Sequence, residues 1–322
     1  MNQGKYIFAR LTDFLPRRTF DRIVESYNGN KYVRTFTCWN QMLCMVFGQL
    51  TSRESMRDLM LSIEAHKPKY YHLGFGKTVT RRNLGKANEK RSYKIFEEFA
   101  YVLIEEARKS CYKTDFEIEI DGNVYALDST TIDLCLSVFW WAEFRKHKGG
   151  IKLHTLFDIK TSIPSFLHIS EASVHDVNIL DLISFEAGSF YVMDKGYDSE
   201  SIHRLIREEL NADSIIPIRS WKNERVGGIF RREMDEHFDE VRYHRRTLVE
   251  TKFSVLKRKF GGDLKTRKFS NQRKELSCKM IICNLHQFLQ CVMIEVFYRA
   301  KKRLIKDQVI PSDASFFKAI TQ

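Results

Sequence analysis

The hydrophobic period of the chain changes near residue 116, and that change divides what the sequence can build. Before it, apolar residues recur at helical spacing: Trp39, Met42, Leu43, Val46, Phe47 and Leu50 form one stripe, and Ile95, Phe96, Phe99, Val102 and Leu103 another. Either Ser52 or Ser55 caps a helix between them, and Thr80 caps a basic one over residues 81–91. After the change the period is two. Phe116, Ile118 and Ile120 alternate with Glu117 and Glu119, and Asp121-Gly122 marks a hairpin turn. Residues 124–127 are apolar on both faces, as in a central strand. Strands over 151–159 and 165–169, a helix over 177–185, a strand over 190–193, a helix over 199–210 and a strand over 214–218 follow. A long helix over 243–260 and another over 272–300 close the pattern. The expectation is an α/β layered fold preceded by a small all-helical domain. The boundaries are 1–112 for the helical domain, 113–290 for the α/β domain and 291–322 for a helical tail, with a charged insertion near 219–240.

Charge narrows the partners. Lys and Arg number 53 against 41 Asp and Glu, a net charge of +12 that implies a polyanion, either nucleic acid or an acidic membrane surface. No apolar run approaches the ~18 residues of a membrane span, and no basic helix stands out with an exposed apolar face. The N-terminus shows no secretion signal. Seven cysteines, none in a CxxC pair, exclude a zinc ribbon or thioredoxin-like motif and point to reduced thiols in the cytoplasm. No Walker loop, GxGxxG or Ser elbow is present, so nucleotide hydrolysis is not suggested, and no small-molecule substrate is expected.

Three carboxylates stand where chemistry assembles. Asp128 and Asp194 each follow an apolar strand, and carboxyl ends of strands are where open α/β sheets build sites. Glu250 lies within the late helix YHRRTLVETKFSVLK, where Tyr243, Arg246, Glu250 and Lys257 share a sector of about 60°. An Arg–Glu pair on a solvated face explains Arg246 and Glu250 but leaves Tyr243 and Lys257 unexplained. A metal-holding carboxylate flanked by phosphate-gripping cations explains all four. An all-oxygen set suits Mg²⁺, with Mn²⁺ able to substitute, rather than zinc.

At this point the sequence resembles a known family. Tyr243-x2-Arg246-x3-Glu250-x6-Lys257 is similar to the YREK signature of the DDE transposases of the insertion sequence four family. Asp128-Ser-Thr and Met193-Asp194-Lys-Gly-Tyr197-Asp198 precede it in the order such proteins use. KGGIKLHTLFD and TRRNLGKANEKR extend the likeness over most of the chain, roughly residues 4–289. The resemblance implies an RNase H-like mixed sheet with flanking helices, with Asp128, Asp194 and Glu250 as a metal-binding catalytic triad. It implies cleavage of transposon ends, attack of the freed 3′-OH on target double-stranded DNA, and a homodimer bridging two ends. Tyr243, Arg246 and Lys257 would then contact end phosphates. The family's β-rich insertion has only residues 219–240 to correspond to it. Within them Trp221 is either a base-stacking platform or a buried ring.

Other residues keep two readings open. Lys152 and His154 alternate on one strand and therefore share a face: they touch DNA or the site if that strand borders Asp128, or are a solvent-facing Lys and a hydrogen-bonded His. Arg81, Arg82, Asn83 and Lys86 on the basic helix suit readout of base edges, or form a solvated face. Lys265, Arg267, Lys268, Arg273 and Lys274 are phosphate contacts on charge alone. A relative that binds DNA without cutting, and a stand-alone nuclease, remain rivals to a transposase.

Overall fold

The computed structural model describes residues 7–76, 79–111, 123–134, 143–145 and 148–306, apart from 160, 162, 172, 220–225 and 245–263. Its helical part contains α1 (Ile7–Thr12), α2 (Arg17–Ser26), α3 (Cys38–Leu50), α4 (Met56–Ala65), α5 (Tyr70–Leu73), α6 (Arg81–Lys90) and α7 (Lys94–Cys111). Local chemistry sets the starts. Thr37 accepts from Asn40 N at the head of α3, and Thr80 from Asn83 N at the head of α6. Of the two serines before α4, Ser55 is the cap. Ser52 instead occupies the left-handed region at φ 53°, in the turn that ends α3.

A six-stranded mixed sheet follows: β1 (Val124–Leu134), β2 (Glu143–Arg145), β3 (Lys148–Asp158), β4 (Ile163–Glu171), β5 (Phe190–Met193) and β6 (Asp213–Ile215). The main order is β2-β3-β1-β5-β6, with β4 also paired to β3. The β1–β3 and β3–β4 pairs are antiparallel, while β1–β5 and β5–β6 are parallel. This is the RNase H-like arrangement that the resemblance implies. The 177–185 segment is a 3-10 helix over Asp176–Leu182 rather than an α-helix. Residues 199–210 begin as α8 (Glu200–Arg204) and widen into one π turn, Leu205–Glu209. The strand over 116–120 and its hairpin turn lie outside the described residues.

Strand alternation divides the sheet's side chains between two cores. Tyr125, Leu127, Leu156, Tyr191 and Met193 meet Ile202, Ile206 and Leu180 on one face. Val124, Ala126, Leu153, Phe157 and Val192 meet Leu264 and Leu276 on the other, with Tyr243 and Phe269 packed against them. The last helix, α11 (Phe269–Lys306), carries Leu276 into that second face. It also sends Cys278, Met280, Ile281, Ile282 and Leu285 into the core of the helical part. The C-terminal helix therefore closes both units. A second tie is Arg108 of α7, which bonds Tyr125 Oη at 2.8 Å and lies 3.6 Å from the fully buried Asp158 of β3.

Cys38, Cys44 and Cys278 are free thiols, whereas Cys291 is disulfide-bonded, contrary to the expectation of reduced thiols throughout. Composition and spacing carry no information on which cysteines fold close together. Among the described residues no helix is long and apolar enough to cross a membrane.

Candidate active site

β1 and β5 run parallel in the register Val124–Phe190, Tyr125–Tyr191, Ala126–Val192 and Leu127–Met193. The next position on each strand is an aspartate, Asp128 and Asp194. Here the strands part: β5 ends, while β1 continues along β3 to Leu134. Asp128 thus lies within a long strand and not at its end, as the apolar run alone suggested. The antiparallel partner β3 supplies enough ladder to carry the chain through polar residues.

Asp194 is extended (φ −75°, ψ 158°) and heads the short 3-10 turn Lys195–Tyr197. Its Oδ1 accepts from Lys195 N at 2.7 Å, and its Oδ2 has no partner among the described residues. The carboxylate is thus half-buried, oriented by one backbone bond, and keeps one oxygen for a ligand. Across from position 128 on β3 stands Thr155, fully buried, with its Oγ1 lacking a hydrogen bond among the described residues. An orphaned buried hydroxyl across from the backbone position of an aspartate fits a site built for an oxygen-bound cation.

Tyr243 ends α10 (Glu240–Tyr243) and packs against the same face as Val124, Ala126 and Val192, its ring 5.4 Å from Phe238. Leu264 reaches that face as well. The two residues bracket segment 245–263, which holds Arg246, Glu250 and Lys257. These three, Trp221 and the side chain of Asp128 lie outside the described residues. Among those described, no group of three His, Cys, Asp or Glu side chains forms a metal site.

β3 does border β1, yet Lys152 and His154 belong to the opposite face, with Leu156. Lys152 Nζ donates to Val174 O at 2.9 Å, and His154 Nε2 shares a hydrogen bond with Ser170 Oγ at 2.8 Å. Thr155, between them, is the residue that faces position 128. Only the antiparallel register carries that signal.

The turn after Asp194 is fastened by Asp198. Its carboxylate takes both arms of the Arg231 guanidinium, at 2.9 and 2.8 Å, and the backbone N–H of Arg219 at 2.8 Å. Burial works to raise the Asp198 pKa, but Arg231 and the Arg219 N–H outweigh it and hold the carboxyl below its ordinary value. Burial pushes the neighbouring His203 imidazole down. Arg231 belongs to α9 (Ile229–Glu236), whose first N–H groups also donate to Glu200 of α8. The described part of the expected insertion is therefore a helix docked on α8 through two carboxylates.

On α6, Arg81, Arg82 and Lys86 are exposed and Asn83 is half-buried, while Leu84, Ala87 and Asn88 face the core. Three of the later cations have structural partners instead. Lys268 pairs with Glu89, Arg273 pairs with Glu97 at 2.6 Å and stacks on Tyr93, and Lys274 is buried with its ammonium on Asn88 O. Counting charges could not distinguish these from surface cations.

A mixed sheet that brings two aspartates out at matching positions on its central parallel strands defines the RNase H-like class of phosphodiester-processing folds. Residues 119–285 match the family described as Transposase DDE domain, just over half of the chain, and the chain belongs to that family. Such proteins use divalent metal ions and bind DNA. Residues 3–76 match a second family, described as a domain of unknown function (DUF4372). A protein of Sinorhizobium fredii (strain NBRC 101917 / NGR234), named "Putative transposase y4zB", is 30% identical over 117 residues. That match covers 36% of this chain and 31% of the relative's length.

Proposed function

We propose that the chain is a transposase of the insertion sequence four type, carrying the YREK signature in Tyr243, Arg246, Glu250 and Lys257. It cuts transposon ends and joins the freed 3′-OH to target double-stranded DNA. Asp128, Asp194 and Glu250 would hold two Mg²⁺ ions, for which Mn²⁺ can substitute. Bound there, the ions would supply the positive charge that activates an attacking oxygen and stabilises a leaving one. The protein supplies the positioning: Lys195 N fixes Asp194, while Tyr243, Arg246 and Lys257 grip phosphates on either side of the scissile link. Residues 1–112 form the DNA-binding domain, with Arg81, Arg82, Asn83 and Lys86 turned to the duplex. The protein works in the cytoplasm on DNA, as a homodimer that bridges two ends.

The observation that carries this reading is the matched register of Asp128 and Asp194. Tyr243 and Leu264 support it, since both pack on the face shared by positions 124, 126 and 192. The test uses DNA flanking the coding region, radiolabelled at one end and incubated with protein and Mg²⁺ beside a supercoiled target plasmid. Nicks at the element's ends and a joined product support the proposal. Cutting without joining would make the protein a nuclease, and binding without either would make it a DNA-binding relative.

A further inference from the structure

The loop over residues 27–36 and helix α6 enclose a recess of about 450 Å³. That volume lies within the ~300–1,000 Å³ of sites that take small-molecule-sized groups. Lys31, Arg34, Lys86 and Lys90 line it, all four exposed, and no acidic residue is among its described lining residues. Tyr32 stands at its mouth, 91% exposed, in the left-handed region at φ 60°. A bulky residue rarely adopts that conformation, and here no packing rewards it. The Lys31 ammonium lies 5.4 Å from the centroid of the Tyr32 ring.

The loop that presents this ring is pinned. Gly29 N donates to Val24 O, Cys38 N donates to Asn30 Oδ1 at 2.8 Å, and the Arg91 guanidinium bonds the carbonyls of Phe36 and Thr37. An aromatic side chain held in solvent on a rigid loop, among four cations, has the features of a stacking platform beside phosphate contacts.

We propose that this recess binds an unpaired nucleotide of DNA, with its phosphates against Lys31, Arg34, Lys86 and Lys90 and its base stacked on Tyr32. The proposal rests on the reading of the chain as a DNA-acting protein, and it gives the N-terminal domain a task separate from cleavage.

The test is fluorescence anisotropy of the full chain in EDTA, which removes cleavage from the readout. Probes are a paired duplex, the same duplex with one bulged nucleotide, the single strand, and RNA of the single strand's sequence. The bulged and single-stranded DNA should bind about tenfold more tightly than the paired duplex. Tyr32→Ala should erase that preference, and Lys86→Glu with Lys90→Glu should weaken every DNA probe. 2-Aminopurine at the bulge should be quenched by the native chain and not by Tyr32→Ala. All the substituted residues are exposed, and circular dichroism checks that the variants fold. Equal binding of paired and bulged duplex, no effect of Tyr32→Ala, or tighter binding of the RNA overturns the proposal. Because cleavage is not read, failure of the catalytic reading leaves these outcomes unchanged.

Discussion

Leu127 of β1 and Met193 of β5 are partners in a parallel register, so Asp128 and Asp194 each come directly after one of two paired residues. Two acids far apart in sequence thereby leave a pair of strands whose paired backbones lie about 5 Å apart. Neither needs the other to fold, because the apolar residues before each fill the two cores of the sheet.

That independence makes the site separable from stability. Asp194→Asn retains a side-chain oxygen able to accept from Lys195 N, so its unfolding midpoint should match the native protein. Cleavage of end DNA should fall on the order of 10³-fold or more, as for other groups that act only in the transition state. Single-turnover cleavage in Mg²⁺ measures the fall in rate, urea denaturation the midpoint, and anisotropy of end DNA shows that binding persists. A native cleavage rate in Asp194→Asn would falsify its assignment.

Gly29 offers a test of the helical core. A Cβ there would lie 2.7 Å from Ile95 Cδ1 and 2.8 Å from Cys38 Sγ, too close for either to remain in place. Gly29→Ala should cost about 1–3 kcal/mol, the usual range for overpacking. Urea denaturation followed by circular dichroism measures it, and an unchanged midpoint would show that the loop over 27–36 yields easily.

These cases also show what the sequence makes legible. Spacing is sufficient for α3 and α7, whose apolar stripes recur at helical intervals, and a short apolar run is sufficient for β5, which is buried on both faces. Such local patterns fail where non-local partners decide. β1 continues past Asp128 because β3 pairs with it, and Ser55 takes the cap because Ser52 is turned into the left-handed region. Strand alternation puts Lys152 and His154 on a common face. Which face that is depends on the register with β1, which no local pattern encodes. Lys274 reads as a surface cation in sequence, yet 1% of it is exposed. Its partner Asn88 lies 186 residues away.

Lys274 should leave a signature in alkali. Burial, with Arg91 nearby, pushes its pKa down to about 8, against about 10.4 in the unfolded chain. Between these values the unfolded state binds the proton more strongly, so this residue's contribution to stability rises with pH. Buried thiols oppose it: burial pushes Cys38 up to about 11, so its contribution falls above the ordinary thiol range. The comparison is therefore native against Lys274→Met. The variant should lose about 1–3 kcal/mol at neutral pH by stranding Asn88 O. The gap should widen from pH 7.5 to 10 in urea titrations. A constant gap would place the lysine in a far more hydrated setting.

The Asp198–Arg231 pair should govern the acid limb and, through it, the turn that holds Asp194. The Asp198 side chain is fully buried and Arg231 is 21% exposed. Removing the cation leaves a buried carboxylate with only the Arg219 N–H and His203 near it, at a cost of about 2–4 kcal/mol after discounting for partial solvation. The signs of the two titrations agree. Asp198 has a folded pKa below its unfolded one, so its contribution is present above about pH 4 and is lost as pH falls through the folded value. His203 is also depressed, so the folded state resists its protonation and stability declines as pH drops below about 6.5. In Arg231→Ala the Asp198 pKa should rise, moving the acid-unfolding midpoint to higher pH. Amide hydrogen exchange should quicken at residues 195–198 before the remainder of the sheet responds. Unchanged exchange there, with the acid midpoint moved, would mean that α9 stabilises the fold without steadying the aspartate.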